Sequence, residues 1–490
     1  MTTPTEPNST PPAPDAPESA AGTATVTPGT TATTDFANDV GPRNISEAFR
    51  LYTQRVRGGD IGALPAVAGV LILAVIFYTA NPVFLSKGNF ANFLTQAAPI
   101  AILAMGSIFV LLMGEIDLSI GTASGVCAAT MALGVTKNGD LNKALGTPTY
   151  LGLLALLLVA IAIASWYRLW LAAGIVLLGG IFIVTHLSKH APVAIFVSVA
   201  TGVAIGCLIG YLVAHVGIPS FIVTLALFLA WQGVLLQFIG QGSAISTQNV
   251  PLINKIENGN MSPAVGWLLW AIAIAIYAAY TIGRSISRRR AKLTGEPLDL
   301  VILRAAAIGI GTGIAVWVLN QNRGRTVFAK LEGVPYVVPI IAVLLIVGTI
   351  LLAKTRYGRY IYAVGGNTEA GRRAGINTRK IRLSVFIIAS GMAGIAGVVG
   401  ASRQGGVPSD FGAHTDQLYA VGAAVIGGTS LFGGRGKVRD GVIGALVIAM
   451  IPNGLGLKNL GSSYEYMITG LVLLLAASVD AISRRRTATS

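Results

Sequence analysis

The sequence predicts an all-α, polytopic integral membrane protein with about 10–14 transmembrane helices. Three observations carry this. Apolar runs of around twenty residues recur along the chain, each long enough to cross about 30 Å of hydrocarbon. Hydrophobic residues make up 53% and charged residues only 11%, with a mean hydropathy of +0.70, whereas about 25% charged is usual in a soluble domain. The cationic excess of +15 is gathered in particular connections between the apolar runs. That is the distribution a bilayer imposes, so a nucleic-acid partner is not expected.

Residues 1–42 are rich in Thr, Pro, Ala and Ser and poor in large apolar groups. They cannot bury enough surface to offset ordering entropy and read as a disordered cytoplasmic tail. No apolar h-region of a signal peptide lies within the first thirty residues. Arg43, Arg50, Arg55 and Arg57 precede the first span and place the N-terminus in the cytoplasm. A transmembrane domain follows over 43–483, with spans expected at 63–85, 90–113, 118–135, 149–166, 168–186, 191–215, 220–240, 264–282, 300–320, 335–354, 382–402, 415–432, 440–456 and 464–483. Under this count the basic connections Arg284–Lys292, Lys354–Arg382 and Arg435–Arg439 and the tail 484–490 are all cytoplasmic. The connection 241–263 falls outside, where only Lys255 is basic. Arg323, Arg325 and Lys330 are the exception, since they would face outward. Cys127 and Cys207 sit inside apolar stretches and read as buried free thiols.

The cytoplasmic connection 355–381 is the longest basic one. Gly365 and Gly366 break the incoming chain, and Asn367 can cap a short helix with its side-chain oxygen. That helix, Thr368 to about Ala374, carries Glu369, Ala370 and Arg372. It is too short to stand alone in water and must dock on something. Gly375 sits where a helix C-terminus favours a residue that tolerates positive φ. After Ile376, Asn377 or Thr378 restarts a helix whose first turns hold Arg379, Lys380 and Arg382. The residues alone allow an ordinary positive-inside loop or a small surface helix held as a mechanical handle for a soluble partner.

Other constellations keep their alternatives. Glu115 and Asp117 lie at a junction of spans, and each would cost about 2.5–3.5 kcal/mol at a bilayer centre. They can pair with a loop Arg and hold a helix break, accept protons in an ion-coupled secondary transporter, or sit near a solute path. Pro219, Ser220, Phe221 and Thr224 open a span as a packing kink or as a wall of a transport route. Gly422, Gly427, Gly428, Thr429, Ser430, Gly433 and Gly434 allow close helix approach, or offer backbone to a neutral polyol. Gly436-Lys437 fails the phosphate-loop pattern, because Leu431 stands five residues before Gly436 and Val438 follows the Lys. His186 and His190 are spaced as ligands on one helix face, with no third ligand nearby. No metal, cofactor or catalytic set is expected.

The segment GRYIYAVGGNTEAGRRAGINTRKIRLSVF (358–386) resembles the ATPase-docking loop of bacterial ABC monosaccharide importer permeases, the ribose, xylose, arabinose and galactose group. The resemblance continues in GEIDLSIG (114–121), GIPSFIVTLA (217–226) and YAVGAAVIGGTSLFGGRGKV (419–438). The usual family form of the first of these is GGIDLSVG, so Asp117 and Ser119 match while Glu115 departs. The resemblance implies a permease subunit that imports a monosaccharide, two permease copies, a cytoplasmic ATPase pair and an extracytoplasmic sugar-binding protein. It places ATPase coupling on Gly366, Asn367, Glu369, Ala370, Arg372, Gly375, Ile376 and Asn377. Route candidates are Asp117, Ser119, Pro219, Phe221, Thr224, Gly427, Gly428, Thr429 and Ser430. The family usually has about ten spans, so two inserted pairs, roughly 145–190 and 264–320, account for the excess. The enlargement is similar to the xylose-type permeases. A faint internal match joins 217–226 to 333–342 at opposite faces, as inverted repeats require.

Overall fold

A computed structural model of the chain describes residues 46–47, 50, 53–54, 64–291, 297–324, 330–413 and 415–488. The expected tail 1–42, Arg43, Arg55, Arg57, Lys292 and Arg325 lie outside the described residues. Among the described residues nine helices are long and apolar enough to cross a membrane, and five shorter apolar helices occupy the remaining expected positions.

In chain order the helices are α1 (Leu64–Ala80), α2 (Lys87–Leu112), α3 (Ile120–Thr136), α4 (Thr147–Trp166), α5 (Trp170–Val184), α6 (Ala191–Tyr211) and α7 (Ser220–Ile239). A short strand β1 (Ala244–Ser246) and the amphipathic α8 (Pro251–Asn258) follow. Next come α9 (Pro263–Arg290), α10 (Leu298–Asn320), α11 (Val337–Lys354), α12 (Arg356–Gly366), α13 (Thr368–Arg373) and α14 (Thr378–Gln404). Strand β2 (Gly406–Pro408), α15 (Asp416–Ile426), α16 (Val438–Gly456) and α17 (Ser462–Ala488) complete the chain. Much of the expected basic tail 484–490 is thus a continuation of the last helix. The two strands pair antiparallel, Ile245 opposite Val407.

The core is built on α14, which packs most extensively against α6 and then α2. Small residues make the first contact possible. Gly202, Gly206 and Gly210 recur every fourth residue, so they share one face of α6. A Cβ on Gly210 would lie 2.9 Å from Leu383 Cα, and one on Gly394 2.8 Å from Ser198 O. Backbones this close forgo side chains in exchange for dispersion contact over the whole helix length. Ser198 Oγ donates to Gly394 O at 3.0 Å across the same seam. Around this core α16 packs on α2 and α15, and the α4–α5 hairpin lies on α6. Hairpin α9–α10 packs mainly on itself. The two expected insertions are therefore both helical hairpins at the periphery.

One end of the bundle, the first end, gathers the connections 113–119, 167–169, 217–219, 355–377 and 427–437. The second end gathers 137–146, 185–190, 240–262, 321–324, 330–336 and 405–413. Hydrogen bonds between connections fix this grouping: Gly434 N to Leu112 O at the first end, Met261 N to Val334 O at the second, both 2.9 Å. Arg323, the exception to the charge pattern, is used locally. Its Nη2 donates to Gly333 O at 2.8 Å and to Asn260 Oδ1 at 3.2 Å, fastening two connections together. His186 and His190 do not share a helix face. His186 sits at φ 57 beyond the end of α5, and its Nδ1 contacts Gly139 O at 3.1 Å. Cys127 and Cys207 are both free and buried.

Candidate functional site

The four motif segments meet at the first end. Its outermost element is α13. Asn367 Oδ1 accepts from Ala370 N at 2.9 Å, which caps the helix start. At the other terminus Gly375 has φ 79, Ile376 N donates to Gly371 O at 3.1 Å and Gly375 N to Arg372 O at 3.0 Å. These two bonds and the left-handed glycine form a complete Schellman stop. Asn377 Oδ1 then accepts from Lys380 N at 3.0 Å and starts α14. Glu369 receives Arg372 and Arg373, and these hydrogen bonds hold its carboxyl below the usual carboxylate range. Ala370, Arg372 and Gly375 are exposed, and Ile376 is half-buried against the core.

What α13 docks on was missed in the sequence. The chain before it is a second surface helix, α12, whose Ile361 and Val364 are buried. A Cβ on Gly371 of α13 would lie 3.1 Å from Val364 Cγ2. Gly365 and Gly366 do not break the chain; α12 runs through both, and Asn367 ends it. Gly365 is required for a different reason, because its Cα faces Leu112 O with no room for a side chain. The apolar spacing of Tyr357, Ile361 and Val364, with Arg356 and Arg359 opposite, is the amphipathic signal that marks this helix.

From α12 the contacts run into the core. Tyr362 Oη donates to Gly436 O at 2.7 Å, and Tyr357 Oη pairs with Ser384 Oγ at 2.7 Å. Glycines 433 and 434 enter the same knot, both at positive φ, and a Cβ on Gly433 would lie 2.9 Å from Gly114 N. Glu115 pairs with Arg382 Nε at 2.8 Å, both largely buried. This is the loop-Arg pairing among the alternatives open in the sequence. Asp117 Oδ1 accepts from Ser119 N at 2.9 Å and from Ser119 Oγ at 2.7 Å, closing the turn that starts α3. The same turn is held to α7: Ile116 N donates to Ser220 Oγ, and Thr224 Oγ1 to Ile116 O, each at 3.3 Å.

The remaining candidates divide by exposure. Pro219, Phe221 and Gly428 are exposed; Asp117, Ser119, Thr224, Gly427, Thr429 and Ser430 are buried. Thr429 Oγ1 and Lys437 N both approach Asp440 Oδ2, at 3.4 and 2.7 Å, which ties the 427–437 turn to the start of α16. At the second end the structure shows a polar cluster that the sequence reading did not single out. Arg403 Nη1 lies 3.3 Å from Glu257 Oε1, and Ser402 Oγ accepts from Glu257 N at 3.0 Å. Asn89 and Asn453 exchange amide hydrogen bonds of 2.7 and 3.1 Å between α2 and α16. Burial pushes the Glu257 carboxyl up to about 8 against the opposing pull of Arg403. Among the described residues no group of His, Cys, Asp and Glu could hold a metal ion.

Residues 89–477 match the family described as branched-chain amino acid transport system / permease component. The chain belongs to this family. The xylose transport system permease protein XylH of Escherichia coli K12 is 31% identical over 422 residues, 86% of this chain and 92% of that protein. XylH of Haemophilus influenzae is 31% identical over 420 residues, 86% and 96% of the two chains. The ribose import permease protein RbsC of E. coli K12 is 28% identical over 415 residues, 85% and 92%. No solved structure matches. The protein is therefore the permease component of an ABC-type transporter, a multi-pass membrane protein with no catalytic role of its own. Membership implies an ATPase and a binding protein as partners, and it displaces the ion-coupled secondary transporter.

Proposed function

We propose that this permease imports a monosaccharide, a pentose such as xylose first and another pentose or hexose second, across the cytoplasmic membrane. The single observation behind the mechanism is the knot at the first end. There an exposed, doubly capped helix is fastened through α12 to three other motif segments. A push on α13 (Thr368–Arg373) is carried by hydrogen bonds and glycine contacts into α2, α3, α7, α14 and α16 together. Rigid elements joined this way rock as bodies, which is what alternating access requires.

The first end is the cytoplasmic one in this reading, because Lys354, Arg356, Arg359, Arg372, Arg373, Arg379, Lys380, Arg435 and Arg439 all gather there. Both termini are then cytoplasmic. An ATPase pair docks on 366–377, an extracytoplasmic sugar-binding protein meets the second end, and a second permease copy completes the route as a homodimer. The xylose and ribose transport named for the relatives supports a sugar substrate. The route candidates Asp117, Ser119, Pro219, Phe221, Thr224 and Gly427–Ser430 adjoin the knot. The Asn89–Asn453 amides at the second end offer a neutral polyol the donors and acceptors it needs. The test is uptake of labelled xylose, ribose, arabinose and galactose by the permease reconstituted with its ATPase and binding protein. Transport of xylose or another monosaccharide supports the proposal; transport confined to branched-chain amino acids overturns it.

A further inference from the structure

The α9–α10 hairpin does not close against α11 (Val337–Lys354). Between the three helices runs an open groove of about 940 Å³. Over most of its length the walls are apolar, formed by residues such as Ala273, Ile276, Leu345 and Ile350. All three helices are long and apolar enough to cross a membrane, so the occupant of this groove is immersed in hydrocarbon. At one end the character changes: among the described residues Arg284, Arg288, Arg304 and Lys354 line the groove there, and no acidic side chain does. Arg284 and Arg288 share a face of α9 at i, i+4, and Lys354 Nζ lies 5.9 Å from the Tyr280 ring centroid. Arg304 stands in the second turn of α10, whose start is the positive end of a helix dipole. These positions all belong to the first end of the bundle.

We propose that this groove binds an anionic phospholipid. Its acyl chains lie along the apolar walls and its phosphate sits beside Arg284, Arg288 and Lys354, at the depth where headgroups of that leaflet lie. A long apolar slot ending in clustered Lys and Arg fits an amphiphile with a negative head. A zwitterionic lipid gains the same apolar contact but little from the cations. An isologous contact with a second copy of the chain would set like cations face to face. Since α9 and α10 contact little of the remaining bundle, the lipid also acts as packing that seats the hairpin on α11. Each basic side chain near an anionic headgroup is worth about a fivefold preference.

The experiment uses the full chain in nanodiscs of equal phosphatidylcholine and phosphatidylglycerol, followed by mass spectrometry of the lipid retained on detergent extraction. Wild type should retain phosphatidylglycerol well above its bulk share, and R284Q/R288Q should lower that preference about 25-fold. R289Q/R290Q removes the same charge from the same helix at positions that do not line the groove, and it should leave retention unchanged. Thr349→Trp fills the groove while keeping every charge and should also expel the lipid. Equal retention of both lipids by wild type overturns the proposal. Equal loss in R289Q/R290Q, or full retention in Thr349→Trp, overturns it as well. So does efficient disulfide cross-linking between two Thr349→Cys chains, which would mean that a second copy occupies the slot.

Discussion

Substituting Gly375 isolates backbone conformation from every other property of the coupling helix. Gly375 has φ 79 and is exposed, and nothing lies within 4 Å of where its Cβ would be. A side chain there meets no clash, so the whole effect is the cost of holding an L-residue in the left-handed region, about 1–2 kcal/mol. A β-branched residue stands at the upper end of that range, while Asn visits the region with little penalty. About 2 kcal/mol is a factor of about 30 in the population that keeps the Schellman stop. Gly375→Val should therefore weaken ATPase binding by about that factor and reduce uptake, with Gly375→Ala intermediate and Gly375→Asn near wild type. The assay is titration of the ATPase subunit onto nanodisc-embedded permease, with uptake measured in parallel. Equal binding by the Val and Asn variants would refute the reasoning, since charge and size would then explain the site as well as conformation does.

Four further outcomes are expected. Ala370→Trp, on the exposed face of α13, should block ATPase co-purification while the ATPase's own basal hydrolysis persists. Arg373→Glu should do much less, because Arg373 is 80% exposed and solvent screens its pair with Glu369. Gly206→Val places a Cβ 2.5 Å from Phe386 O and 2.7 Å from Ile387 Cα. It should cost about 1–3 kcal/mol or more and cut the yield of monodisperse protein, whereas Gly174→Val, with nothing within 4 Å, should not. Glu257 tests pH linkage. Its carboxyl is raised to about 8, so between about pH 4.3 and that value the folded chain holds a proton that the unfolded chain has released. Stability must therefore fall as pH rises through this window. Thermal melting in detergent from about pH 6 to about pH 9 should show the fall in wild type, and Glu257→Gln should flatten it.

The apolar helices were legible because length and apolar content are properties of a contiguous stretch: all fourteen expected segments correspond to helices among the described residues, nine of them long enough to cross a membrane and five shorter. The caps at Asn367, Gly375 and Asn377 were legible for the same reason, since each acts within a few residues of itself. Helix α12 was within reach too, but its glycines at 365 and 366 masked an amphipathic period that was already present. The knot itself was out of reach. Gly434 reaching Leu112, Ser220 and Thr224 reaching Ile116, and Tyr362 reaching Gly436 are pairings between distant segments. A single sequence gives no register for such pairings. His186 shows the converse: its i, i+4 spacing to His190 suggests one helix face, but the helix ends before it at Val184.

In the proposed mechanism this chain moves its solute through work received at α13 from a separate ATPase. Uptake should be measured in proteoliposomes holding permease, ATPase and binding protein, loaded with ATP, with the proton and sodium gradients collapsed. Sustained uptake that requires ATP hydrolysis, and is reduced in Gly375→Val but kept in Gly375→Asn, is the predicted result. Uptake by the permease alone, driven by an imposed gradient without ATP, would contradict the account.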